Sequence, residues 1–169
     1  MRSQQVKLLQ MLSSSAPCPA GVPQGSVISP MLFNVYIDDL EDENPANLTV
    51  DTSKYADDCT LDQAVGAGGI SHVQQALDII QNWTVSNNMT INVKKTKDMW
   101  ICFTESVLEP PPIYIGDELV ERVDKFKILG MGLQNNLKWN NHVETIIQKA
   151  NRQVYILREC RKANLYLWK

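Results

Sequence analysis

The chain has 169 residues, 44% of them hydrophobic and 21% charged, with a net charge of −3, a size that suits one domain with a real core. No apolar run approaches the length of a membrane span, the N-terminus has no signal-peptide core, and Cys18, Cys59, Cys102 and Cys160 form no CxxC pair. These features exclude a membrane-spanning chain, a secreted disulfide scaffold and a cysteine zinc site, and they point to an intracellular protein.

In chain order, Gln5 to Leu12 reads as a first strand, followed by Ser13-Ser14-Ser15 and a loop through Pro17 and Pro19. The turn-rich stretch Gly21-Val22-Pro23-Gln24-Gly25-Ser26 leads into a helix with Ser29 as N-cap and Pro30 at its first position. Met31, Leu32, Val35, Tyr36 and Leu40 recur at roughly helical spacing, and Pro45 ends any helix. Leu48 to Leu61 reads as a hairpin with Asp57 and Asp58 at its tip. Ser71 then caps a second helix, on which Val73, Ala76, Leu77, Ile80, Trp83 and Thr84 keep the 3.6-residue period until Asn87-Asn88.

Thr90 to Val93 and Asp98 to Phe103 read as strands around a Lys-rich turn, and Pro110-Pro111-Pro112 as a rigid connector. Ile113 to Ile115 and Glu118 to Val123 resemble a hairpin turning at Gly116-Asp117, and Phe126 to Leu133 another strand. A last helix is expected to bury Val143, Ile146, Ile147, Ala150, Val154 and Leu157. This order predicts an α+β fold, an antiparallel sheet with helices on one face.

Charge is unevenly placed. From Lys138 onward seven Lys and Arg face Glu144 and Glu159, a local charge of +5 that leaves −8 for the rest. Between Asp38 and Asp62 stand nine acidic residues and one lysine. An acidic middle suits a hard cation and a basic terminal helix suits phosphate, although solvated faces of unequal charge explain the pattern equally well. Adjacent aspartates on a turn can aim both carboxylates at one Mg²⁺. Asp38-Asp39 shows how often such a pair is only a solvated turn.

The ordered set of short motifs resembles the reverse transcriptases of non-LTR, LINE-type retrotransposons, of the jockey, CR1 and LINE-2 type. Gly21 to Ser26 with Ser29-Pro30-Met31-Leu32-Phe33-Asn34 and Tyr36-Ile37-Asp38-Asp39-Leu40 looks like palm motif B, and Tyr55-Ala56-Asp57-Asp58 like motif C. Trp83, Asn87 and Asn92-Val93-Lys94-Lys95-Thr96-Lys97 look like motif D. Lys127-Ile128-Leu129-Gly130 looks like the primer grip, and Leu137-Lys138-Trp139-Asn140 with His142 and Lys149-Ala150 like the start of the thumb.

The resemblance implies a partial palm over residues 1–133 and a basic helical thumb segment over 134–169. It implies RNA-directed DNA synthesis with two Mg²⁺ ions, on an RNA template and DNA primer with deoxynucleoside triphosphates. Asp57 would bridge the ions, with Asp58 close behind, and Lys95 would act as a general acid near the departing pyrophosphate. Gly21, Pro23, Gln24, Gly25 and Tyr55 would face nucleotide or template. Lys127, Leu129 and Gly130 would hold the primer end, and Lys149, Arg152, Arg158, Arg161 and Lys162 would meet phosphates. Each also has a plainer reading, as helix-entry loop, solvent turn, core strand or solvated helix face. The family implies the nucleus or the cytoplasm.

The same resemblance implies a third aspartate from a motif A strand before motif B, yet the first acidic residue here is Asp38. Arg2-Ser3-Gln4-Gln5-Val6-Lys7 resembles the segment just before motif B, so the chain is expected to begin partway through the domain. The expectation is therefore an inactive fragment with an open sheet edge that invites self-association. A non-catalytic nucleic-acid-binding remnant and a pseudogene product are the alternatives.

Overall fold

A computed structural model describes residues 3–18, 20–23, 25–43, 45–66, 68–103, 109–163 and 165. Gln24 and Arg2 lie outside the described residues. Among the described residues the architecture mixes three α-helices with six two-stranded ladders, five antiparallel and one parallel. The expected single antiparallel sheet is thus, among the described residues, a set of short separate pairings.

The N-terminal piece is a hairpin rather than one strand. β1 (Ser3–Gln4) pairs with β4 (Ala16–Pro17), and β2 (Lys7–Leu8) with β3 (Met11–Leu12), all antiparallel. The turn falls at Leu9, which takes a positive φ of 56°, and Val6 and Ser13 exchange hydrogen bonds between the two pairings. Leu8, Leu9 and Met11 are all strongly exposed.

α1 (Ser29–Tyr36) begins one residue earlier than expected. Ser29 is its first helical residue, with Ile28 at the N-cap, and the buried Ser29 hydroxyl donates to the Pro23 carbonyl at 2.6 Å instead of capping a helix N–H. α1 stops at Tyr36, and Asp38–Glu41 continue as a 3₁₀ turn that buries Leu40. After a second 3₁₀ turn at Ala46–Leu48 comes the expected hairpin, β5 (Asp51–Tyr55) against β6 (Asp58–Asp62) in antiparallel register.

α2 (Val73–Ser86) is the element the period describes best: Ala76, Leu77, Ile80, Trp83 and Thr84 are buried, and it ends at Asn87 with Asn88 at φ 53°. Its N-cap is His72; Ser71 still contributes, its hydroxyl accepting from Val73 N–H at 3.4 Å. Gln63, just past β6, accepts from His72 N–H at 2.8 Å and donates to the Leu48 carbonyl at 3.0 Å, which ties the base of the hairpin to the start of α2.

The core is two adjoining clusters on α2. Ile37, Leu40, Ile80 and Trp83 form one and Leu77, Ile115 and Val120 the other, with Leu61 and Ile91 packed against both. Thr90 to Val93 is not a strand; Ile91 and Val93 serve as irregular core plugs before the turn at Val93–Lys95. Asp98 to Phe103 keeps strand pairing only at its start, in β7 (Lys97–Asp98).

The Gly116-Asp117 hairpin forms as expected, β8 (Tyr114–Ile115) with β9 (Glu118–Leu119), and Gly116 takes φ 60°. Two α2 glutamines dock it, Gln74 exchanging hydrogen bonds with Tyr114 and Gln81 accepting from Gly116 N–H. β10 (Glu121–Arg122) then pairs in parallel with β7. Arg122 meets Asp98 at 2.6 Å, Glu109 at 3.1 Å and the carbonyls of Pro110 and Pro111 at 2.8 and 3.0 Å. Burial pulls its pKa down, but the hydrogen bonds and charges of Asp98 and then Glu109 leave it raised.

Phe126 to Leu133 is a second hairpin rather than one strand. β11 (Lys125–Ile128) pairs with β12 (Met131–Gln134), and Leu129 and Gly130 form the turn at φ 46° and 88°. Two positive φ values are the pattern of a type I′ turn, which suits the right-handed twist of a two-residue hairpin. α3 (Asn140–Lys162) has the expected amphipathic spacing, but none of its residues is buried. Val143, Ile146, Ile147, Val154 and Leu157 are between 42% and 54% exposed, because nothing among the described residues covers that stripe.

Candidate metal and nucleic-acid site

The tip of the β5–β6 hairpin follows from its register. Tyr55 pairs with Asp58, so Ala56 and Asp57 are the two turn residues. Ala56 takes φ 53°, in the left-handed region that glycine or asparagine usually occupies in a two-residue hairpin turn. Asp57 thus sits in the turn and Asp58 opens β6, both exposed, with Tyr55 beside them 67% exposed. Neither carboxylate has a hydrogen-bond or ion-pair partner among the described residues.

Two free, adjacent carboxylates suit Mg²⁺, which is commonly held by one or two carboxylates plus substrate phosphates and keeps several waters. Among the described residues no group of three or more His, Cys, Asp or Glu could hold a metal ion. The donors at the tip therefore fit one part of a metal site, in which Asp57 and Asp58 would be the protein's ligands and a bound ion would supply charge neutralisation.

The other expected site residues occupy separate elements. Gly21 and Gly25 both take positive φ, 78° and 83°, in the loop that enters α1, where Pro23 accepts from Ser26 N–H and the Ser29 hydroxyl. A side chain would be strained at either glycine, so the backbone can lie open to a ligand there. Lys95 sits on a turn held by Asn92, whose side-chain and backbone oxygens both accept from Lys95 N–H. Its ammonium has no ion pair among the described residues.

Lys127 lies on β11 opposite Gly132, whereas Leu129 and Gly130 are the turn itself. On a helix of 3.6 residues per turn the basic residues of α3 do not form one ridge. Arg158 and Lys162 flank one side of the apolar stripe, Lys149 lies off its other side, Arg152 falls on the opposite face, and Arg161 continues the stripe's own line. All five are solvent-accessible.

Sequence reasoning missed Lys54. Its side chain is 14% exposed, and its ammonium donates to the carbonyls of Ile37 at 2.7 Å and Asp38 at 3.0 Å, with Glu41 at 3.5 Å. The alternation on β5 carried the signal: Thr52 and Lys54 are half-buried while Asp51, Ser53 and Tyr55 face out. Opposite it, the Cys59 thiol is pushed up by the atoms packed around it, against the pull of Lys54 and with Glu41 adding to the rise.

Comparison with known proteins gives the chain its family. Residues 6–133 match the family model described as reverse transcriptase (RNA-dependent DNA polymerase). The chain belongs to that family, within its non-LTR, LINE-type branch. It is similar to the RNA-directed DNA polymerase from mobile element jockey of Drosophila melanogaster, 32% identical over 147 residues, 83% of this chain and 16% of the relative. It is also similar to the jockey polymerase of Drosophila funebris, 29% identical over 133 residues, 75% of this chain and 14% of the relative. A third relative is the probable RNA-directed DNA polymerase from transposon X-element of Drosophila melanogaster, 28% identical over 158 residues, 88% of this chain and 16% of that protein. The chain thus spans about a sixth of the length of these relatives. No solved structure matches it. No helix among the described residues is long and apolar enough to cross a membrane.

Proposed function

We propose that this chain is the palm part of an RNA-directed DNA polymerase and the start of its thumb, residues 1–133 and 134–169. In the complete enzyme it would contribute two of the Mg²⁺-holding carboxylates to template-primed DNA synthesis. The observation that carries this reading is the Tyr55–Asp58 turn, with two adjacent, unpartnered carboxylates at an exposed tip in a chain of this family.

Asp57 would hold the ions with Asp58 beside it; Gly21, Pro23, Gly25 and Tyr55 would meet nucleotide and template; Lys95 would neutralise charge on the leaving pyrophosphate. Lys127, Leu129 and Gly130 hold the primer end from their hairpin. Exposed apolar side chains on the N-terminal hairpin and on α1, such as Leu8, Met11, Met31 and Val35, support packing against further polypeptide of such a polymerase. The outer edges of the β5–β6 ladder, unpaired among the described residues, support pairing with another strand.

The helix α3 carries the nucleic-acid contact through Lys149, Arg152, Arg158, Arg161 and Lys162. Fluorescence anisotropy with a labelled RNA–DNA hybrid tests this part. Affinity is expected to fall steeply with salt, and changing Lys149 and Arg152 to Glu should flatten the log–log slope by about one unit per cation removed. A salt-independent affinity, or a slope untouched by both changes, would contradict it.

A further inference from the structure

A lysine ammonium turned inward from a short exposed hairpin needs a reason, because burying a charge is costly unless it is paired. Lys54 meets that cost with two backbone carbonyls at one place. The Ile37 carbonyl belongs to the C-cap of α1 and the Asp38 carbonyl to the 3₁₀ turn that follows, at 2.7 and 3.0 Å. The Ile37 carbonyl also accepts from Leu40 N–H at 3.2 Å, so the ammonium takes its remaining lone pair, and the partial negative charge at a helix C-terminus favours a cation there. Glu41, at 3.5 Å, adds a carboxylate to the same ammonium.

The two elements joined in this way are the ones that matter for the proposed site. β5 runs from Lys54 straight into the turn that carries Asp57, and α1 is entered through the glycine loop at Gly21 and Gly25. On the other side of the hairpin Leu61 anchors β6 in the core, but Leu61 lies near the far end of the strand. Close to the tip, Lys54 supplies the cross-link.

We infer that Lys54 is a positioning residue, whose ammonium locks the aspartate-bearing turn to the end of α1 and so fixes both carboxylates relative to the glycine loop. This inference rests on reading Asp57 and Asp58 as metal ligands. It also separates position from charge: losing a nearby positive charge should tighten cation binding at two carboxylates, whereas losing a positioning link should weaken it.

The test is terbium luminescence on the full chain, comparing the parent with Lys54→Met, Lys54→Arg and Asp57→Asn, each checked by thermal melt. Asp57→Asn is expected to abolish the bound-terbium signal. If it does not, the metal-site reading fails, whatever Lys54 does. Lys54→Met should weaken terbium affinity about tenfold or more, the scale of outer partners of metal ligands, with a cooperative melt retained. Lys54→Arg, which keeps donors for the same carbonyls, should recover most of the affinity. Unchanged or tighter binding in Lys54→Met, beside a lost signal in Asp57→Asn, overturns the inference alone. So does loss of the cooperative melt in both Lys54 variants, which would make the lysine a support of the whole fold.

Discussion

Offered poly(rA)/oligo(dT), dTTP and Mg²⁺, the 169-residue polypeptide alone should incorporate no nucleotide above the blank. The reason lies in the donor count. Two-metal phosphoryl transfer needs ions about 3.5–4 Å apart, stabilising both the attacking and the leaving oxygen. Two such cations repel, and carboxylates shared between them supply the charge that holds them together. Here the tip offers Asp57 and Asp58, and the sequence has no acidic residue before Asp38 from which the implied third aspartate could come. Mg²⁺ also gives up water reluctantly, so a missing carboxylate is not made good by a looser fit. Asp57→Ala should therefore leave the blank-level signal unchanged. Robust incorporation that disappears in Asp57→Ala would contradict the inactive-fragment account.

Trp83→Ala should abolish the cooperative thermal unfolding of the domain. Trp83 is 5% exposed and joins Ile37, Leu40 and Ile80 in one of the two buried clusters among the described residues. Removing a buried tryptophan side chain costs about 3–5 kcal/mol, and domains of ordinary stability hold about 5–15 kcal/mol in all. With many large apolar side chains exposed, this chain has little reserve. The indole N–H adds a second, sharper expectation. It is buried without a hydrogen-bond partner among the described residues, a state that costs about 1–3 kcal/mol. Trp83→Phe keeps most of the ring and removes that donor, so its melt should stay within a few degrees of the parent's. A cooperative Trp83→Ala melt near the parent temperature would show that the core lies elsewhere.

Residue pattern carried the parts of the fold whose burial is decided locally. The period on α2 marked Ala76, Leu77, Ile80, Trp83 and Thr84 as the inner face, and they are buried. Asp57 at the tip and Gly116-Asp117 between strands were legible because turn residues interrupt strand-like runs there. Two other hairpins were not, since Leu9 and Leu129 take positive φ at positions where Gly or Asn is the usual signal. The stripe on α3 shows a different limit: periodicity says that a helix has an apolar face, not what covers it. Ser29 was misread for a related reason. Its type suited an N-cap, but a 2.6 Å bond to Pro23 drew its hydroxyl into the loop. Of the candidate site, the carboxylate pair was legible from motif and turn. Lys54 was not, because its partners are main-chain carbonyls, which no side-chain pattern reveals.

The most direct measurement of the central claim is a Mn²⁺ titration of the ¹⁵N-labelled chain followed by amide line broadening. The sequence offers two acidic segments to tell apart, the Asp57-Asp58 tip and the run Asp38, Asp39, Glu41, Asp42 and Glu43. The account predicts that the Tyr55 to Cys59 amides broaden first and that Asp57→Asn removes the effect. Earliest broadening at Asp38 to Glu43, unchanged in Asp57→Asn, would contradict it.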